Sequence, residues 1–171
     1  MTELEQIRKH KDDFFANDPH SPLEPEQKET FQGLNYYPDN EALRLEIDIK
    51  PLEDQELVDL TTSTGDIKTY KRYGRFSFAV KGEQAELTLF ASPHGYFLPF
   101  VDAKAGTETY GAGRYLDPEQ LENGKFLIDF NEAYNPYCAY NENWNCPLPP
   151  GENRLKVAIE AGEKNFEDSN S

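Results

Sequence analysis

The sequence predicts an all-β-dominated fold, an antiparallel β-barrel of about eight to ten strands preceded by short helices. Three observations carry this. LRLEIDI alternates, with Leu43, Leu45, Ile47 and Ile49 on one face and Arg44, Glu46 and Asp48 on the other, the period of a half-buried strand. Similar short runs then recur at close spacing to the end of the chain. Helical periodicity is confined to the start, so closure of the sheet is the simplest way to remove its edges. A two-sheet sandwich is the alternative.

The elements follow in order. Thr2 to Glu5 fits a capping box, and Leu4, Ile7, Phe14 and Phe15 mark one apolar face, so a helix starts the chain. Asn17, Asp18 and Pro19 stop it. Ser21-Pro22-Leu23-Glu24 offers a second start and Gly33 a C-cap past Phe31. After the strand at Leu43–Ile49, strands are expected at Leu57–Thr62, Ile67–Lys71, Arg75–Val80, Ala85–Ala91, Tyr96–Val101, Glu108–Leu116, Phe126–Phe130 and Leu155–Glu160. Ser63–Asp66, Lys81–Glu83 and Asn123-Gly124 supply turns. The predicted organisation is one domain over 1–171: a helical segment at 1–34 packed on a barrel at 43–161, and a flexible acidic tail at 163–171.

The chain has 171 residues with 17 basic and 32 acidic side chains, a formal charge of −15. Its mean hydropathy is −0.81. Such a chain repels phosphate backbones and anionic membrane surfaces, which argues against nucleic acid and membrane partners. MTELEQIRKHKDDFF lacks the apolar core of a secretory signal, and no apolar run reaches membrane length. The expected location is cytoplasmic, where Cys138 and Cys146 are thiols by default.

RYGR at Arg72–Arg75, LPFVDAKAGTETYGAGRYL at Leu98–Leu116 and the stretch from Asp129 through ENRLKVAIEAGEK resemble a bacterial and archaeal family, the one catalogued as domain of unknown function 1684. KDDFF, SPL and FQGLNYYP nearer the N-terminus fit the same pattern. The resemblance covers nearly the whole chain and implies a single-domain protein. It implies no catalytic role.

Two segments are candidates for chemistry. YGAGRY, Tyr110–Tyr115, places two glycines in a strand candidate, the mark of a bend or a close backbone approach. No helix or Lys-Ser/Thr pair follows, so it is no phosphate loop. Arg114 is one of six arginines. Pointing inward it needs a partner, such as Asp102 or Asp129, or an anionic ligand. The second segment, FNEAYNPYCAYNENWNCPLPPGENR, holds six Asn, four Pro, both cysteines and the single Trp. Asn side chains replace missing ladder bonds in such loops, while aromatics anchor them. The same groups at a barrel mouth suit a ligand pocket.

The candidate ligand-binding residues are therefore Arg114, Tyr115, Asn131, Tyr134, Asn135 and Asn153, and the expected ligand is small and polar or anionic. An enzyme is the second reading: a hydrolase or lyase with Glu152 or Asp129 as base and Arg114 stabilising a developing anion, or with Cys138 as nucleophile. A structural protein whose acidic surface meets a basic partner is the third. No metal or cofactor is expected, because Cys138 and Cys146 lack zinc-ligand spacing and only His10, His20 and His94 accompany them.

Overall fold

Alternating polar and apolar residues sort the chain into two antiparallel sheets, described over residues 2–166 by a computed structural model. In order, the helices are α1 (Glu3–Asn17) and α2 (Pro25–Thr30). The strands are β1 (Arg44–Ile47), β2 (Leu57–Thr61), β3 (Ile67–Val80), β4 (Glu83–Ser92), β5 (Gly95–Phe100), β6 (Arg114–Leu116), β7 (Glu119–Gln120) and β8 (Phe126–Asp129). One sheet runs β2-β3-β4-β5-β6 and curls as a half-barrel; the other runs β1-β8-β7. The architecture is thus strand-rich, with short helices, as the alternation requires.

The long strands follow from local chemistry. The runs expected at Ile67–Lys71 and Arg75–Val80 are one strand of 14 residues, because the RYGR step is a bulge: the β3–β4 register shifts between Arg72 and Gly74. A tight turn with Lys81 and Gly82 both at positive φ joins β3 to β4. Phe76, Phe78 and Val80 of β3 point inward with Leu87 and Leu89 of β4 and Leu98 and Phe100 of β5. Phe126 and Ile128 of β8 close this core from the other sheet. Burial of so many large side chains is the main favourable term in folding.

A second apolar cluster, Phe15, Leu23, Leu34 and Tyr140, ties the helical segment to the loop after β8. The Thr2–Glu5 capping box of α1 forms as expected. The second helix starts later than Ser21, at Pro25, with Glu24 as N-cap, and ends before Phe31. Ile7 stays 44% exposed although it lies on the apolar face of α1. Among the described residues no helix is long and apolar enough to cross a membrane.

Three expectations need correction. Only Arg114–Leu116 of the run at Glu108–Leu116 is a strand, because the carbonyl of Lys104 gathers the N–H groups of Thr107, Glu108 and Thr109 into a turn. Leu155–Glu160 forms no strand: Leu155 N–H and Val157 C=O bond the backbone of Val101 and Ala103, and beyond them Ile159 is held by the side chains of Arg114 and Asp102. Residues 163–166 are not a free tail. Glu163 is 1% exposed, Lys164 N–H donates to Asn35 and Asn165 N–H donates to Glu108. Residues 167–171 of that predicted tail lie outside the described residues.

Candidate functional site

Arg114 lies on β6 with 1% of its surface exposed. Its Nη1 donates to the carbonyls of Ala161 (2.5 Å) and Glu163 (3.0 Å), and Nη2 to that of Ile159 (2.9 Å). The Asp102 carboxylate stands 3.6 Å from Nη2 and accepts Ile159 N–H at 2.8 Å and the Thr109 hydroxyl at 2.7 Å. Of the two partners weighed for Arg114, Asp102 is the one present. Burial pushes the guanidinium pKa down, and the Asp102 charge opposes that shift. Together the pair holds segment 159–163 in place of a strand ladder. Just before Arg114, Gly113 sits at φ +101°, and a Cβ there would stand 2.6 Å from the Phe100 carbonyl. This is the close approach that the glycines of YGAGRY predict.

Asn135 grips the same segment. Its N–H donates to the Glu163 carboxylate (2.8 Å) and its Nδ2 to the Lys164 carbonyl (3.0 Å). The Glu163 carboxylate also accepts the Tyr140 hydroxyl and pairs with Lys11 at 3.1 Å. The guanidinium and the amide-rich loop therefore converge on one region, and the chain's own residues 159–164 fill it. Asn153 bridges Thr88 N–H, Thr88 C=O and Pro99 C=O at 2.8–2.9 Å. It substitutes for ladder bonds where β4 and β5, paired only from Phe90 to Ser92, diverge. Asn131 binds both backbone polar groups of Asn40, at 2.8 and 2.9 Å. The side-chain hydrogen bonds of Arg114, Asn153 and Asn135 Nδ2 thus go to the protein's own backbone, while Asn135 Oδ1 is buried without a partner among the described residues.

Tyr115 and Tyr134 are placed differently. Their backbones exchange hydrogen bonds at 2.8 and 3.0 Å, and their rings meet edge to face at 5.8 Å. The Tyr115 hydroxyl donates to the Pro147 carbonyl, and that of Tyr134 to Asp117 at 2.6 Å. Burial raises both phenol pKa values, so both hydroxyls remain neutral donors. Their rings line an open cleft of about 810 Å³. Tyr70 and Phe97, stacked at 5.1 Å, line it from the sheet, Ile7, Lys11 and Phe14 from α1, and Tyr137 and Trp144 from the loop after β8. Asn131 and Tyr134 also line a neighbouring hollow of about 390 Å³ under α1.

The loop carrying Trp144 is pinned at its far end. Ser63 donates from its hydroxyl to the Trp144 carbonyl (3.0 Å) and from its N–H to the Cys146 carbonyl (2.9 Å). Leu148 N–H donates to Thr61 on β2 at 2.8 Å. Asn and Pro shape this irregular segment and aromatics anchor it, and the same anchoring places Trp144, 38% exposed, at the cleft. Ordered loops on rigid sheets commonly carry sites for this reason.

The candidate bases sit in ion-pair networks. Glu152 pairs with Arg72 (2.6 Å) and Arg75 (3.0 Å) and accepts the Thr88 hydroxyl (2.8 Å). Burial pushes its pKa up, but these partners outweigh burial and hold it below the usual carboxylate value. Asp129 pairs with Arg44 at 3.1 Å. Neither carboxylate pairs with Arg114, so neither of the two base–Arg114 pairs weighed for a hydrolase or lyase is assembled. Cys138 and Cys146 are free thiols. Burial pushes Cys146 up to about 11, against thiolate chemistry there. Cys138 receives the Tyr110 hydroxyl at 3.7 Å. No group of three or more His, Cys, Asp or Glu among the described residues is placed to hold a metal.

Sequence reasoning missed most of the cleft. Tyr70, Phe97 and Phe14 read as core or strand residues, and His94 only as a histidine without zinc-ligand company. One signal was available: Phe97 neighbours the inward Leu98, so alternation turns it to the opposite face of the sheet. A large aromatic on a face with no assigned partner marks either a covering loop or a site.

The family model described as "Protein of unknown function (DUF1684)" matches residues 29–164. A search of curated proteins finds no match. Among solved structures, the solution NMR structure of an uncharacterized protein of Haloarcula marismortui is similar. It is 37% identical with a TM-score of 0.69, and the alignment covers 95% of this chain and 92% of that one.

Proposed function

The chain belongs to the DUF1684 family, and from that premise and the geometry above we propose that it is a binding protein for a small molecule held in the aromatic cleft. One observation carries the reading: an open cleft of about 810 Å³ whose walls come from α1, the curled sheet and a pinned loop. That volume lies within the range of small-molecule sites, which are mostly apolar with a few placed polar groups. Here the apolar part is Phe14, Tyr70, Phe97, Tyr137 and Trp144, and the polar part is Lys11, Lys68, His10, His94 and Asp117. Of the residues nominated from sequence, Tyr115 and Tyr134 belong to this site. The acidic surface, at −15, fits a small-molecule partner better than a nucleic acid.

The test uses the protein's own fluorophore. Trp144 is the only tryptophan and lies in the cleft, so a ring-bearing ligand bound there changes its emission. In a fragment screen by ligand-observed NMR, hits are expected to perturb Trp144 fluorescence. Trp144→Ala is expected to weaken them about tenfold, roughly 1.4 kcal/mol. Trp144 is partly exposed, so the substitution should leave the fold intact. Hits that bind Trp144→Ala with unchanged affinity would place the ligand elsewhere.

A further inference from the structure

We infer that the cleft selects a planar aromatic anion, with its ring among Tyr70, Phe97 and Trp144 and its negative group at Lys68. This inference rests on the proposed cleft binding and adds the ligand's charge and shape.

The first support is local charge. In a chain of 32 acidic and 17 basic side chains, the acidic excess is absent from the cleft. The cleft is lined by Lys11 and Lys68 but by one carboxylate, Asp117, which already accepts the Tyr134 hydroxyl at 2.6 Å.

The second support is that the two ammonium groups differ. Lys11 pairs with buried Glu163 at 3.1 Å and lies 5.3 Å from the Tyr134 ring centroid, so its charge is already compensated. Lys68 projects from β3, and its Nζ donates to the Asn145 carbonyl at 3.4 Å. Among the described residues no carboxylate lies within ion-pair distance of it. It is the cation left for a ligand, and a charge-assisted hydrogen bond to a carboxylate is the strongest contact it can make.

The third support is shape. Tyr70 and Phe97 line the cleft as a stacked pair, 5.1 Å apart with 26° between their planes, a stack that a third flat ring can extend. Trp144, also in the lining, meets Tyr137 edge to face at 5.0 Å. A flat ring among these aromatics gains offset-stacked and edge contacts. The repulsion an anion meets from the acidic surface is a distant, salt-screened term, whereas the Lys68 contact is direct.

A matched series tests this: 2-naphthoate, the neutral 2-naphthalenemethanol and the cationic 2-naphthylmethylammonium. Each is titrated into the full-length protein with Trp144 emission and calorimetry as readouts. The carboxylate is expected to bind at least about tenfold tighter than the alcohol. That preference should shrink with added salt and vanish in Lys68→Met. Lys71→Met, on the same strand outside the cleft, should retain it. Equal binding of carboxylate and alcohol overturns the charge selection and leaves cleft binding standing. Tightest binding of the ammonium overturns it in favour of a cation site. A carboxylate preference that survives in Lys68→Met overturns the assignment of Lys68. Failure of all three ring compounds to bind defeats the cleft reading itself.

Discussion

Replacing Arg114 with methionine is expected to remove about 3–5 kcal/mol of stability, measured by urea denaturation. The physical reason is the number of buried groups left without a partner. The guanidinium bonds the carbonyls of Ile159, Ala161 and Glu163 and balances the buried Asp102 charge. Methionine fills similar volume but satisfies none of them, and an uncompensated buried carboxylate is the most expensive remainder. A double substitution, Arg114→Met with Asp102→Asn, should recover part of the loss by removing that charge. Asn keeps one acceptor oxygen for Ile159 N–H, and the Thr109 hydroxyl, which now donates to the other Asp102 oxygen, can turn to accept from the new amide. If Arg114→Met costs less than about 1 kcal/mol, the staple is not a structural determinant.

Gly162→Ala is the second large effect, at about 3 kcal/mol or more. Gly162 adopts φ +79°, and a Cβ there would stand 2.7 Å from the Phe130 carbonyl and 2.8 Å from both Ala133 Cβ and Ala133 O. Two of these three atoms are backbone, so no side-chain rotation relieves the clash. The left-handed conformation itself adds about 1–2 kcal/mol for a residue with a Cβ. Pushing the segment outward also strains the bonds from Tyr37 N–H to Gly162 and from Glu163 N–H to Ala133. Amide exchange in native buffer should show early loss of protection at Tyr37 and Glu163 in this variant. Unchanged protection there would mean the segment docks without requiring a glycine.

These two predictions concern the part of the chain where sequence and structure diverge most. The alternation at Leu43–Ile49 and Arg75–Val80 made the strand-rich class legible, because a period of two is written in adjacent residues. The loop's dependence on Asn was legible from residue type, and Asn153 performs the predicted substitution for ladder bonds. The region joined by Arg114 and Asn135 was partly legible: both reach a common place. What fills it, residues 159–164, was not, because Leu155–Glu160 has strand-like residues and nothing local shows that its carbonyls meet a side-chain donor from β6. The cleft was hidden for a related reason. Its walls come from α1, from β3 and β5, and from a loop far along the chain. Aromatic residues read the same whether they fill a core or line an opening, and only tertiary placement separates the two.

Side-chain and indole signals in a ¹⁵N-correlated NMR titration with 2-naphthoate test the central claim most directly. The claim is that the buried polar residues are internal staples and that the aromatic cleft is where ligands meet the protein. The Trp144 indole N–H should shift progressively with ligand, while the side-chain signals of Arg114, Asn135 and Asn153 stay fixed. Shifts centred on Arg114 and Asn153 with a stationary Trp144 indole would contradict the account.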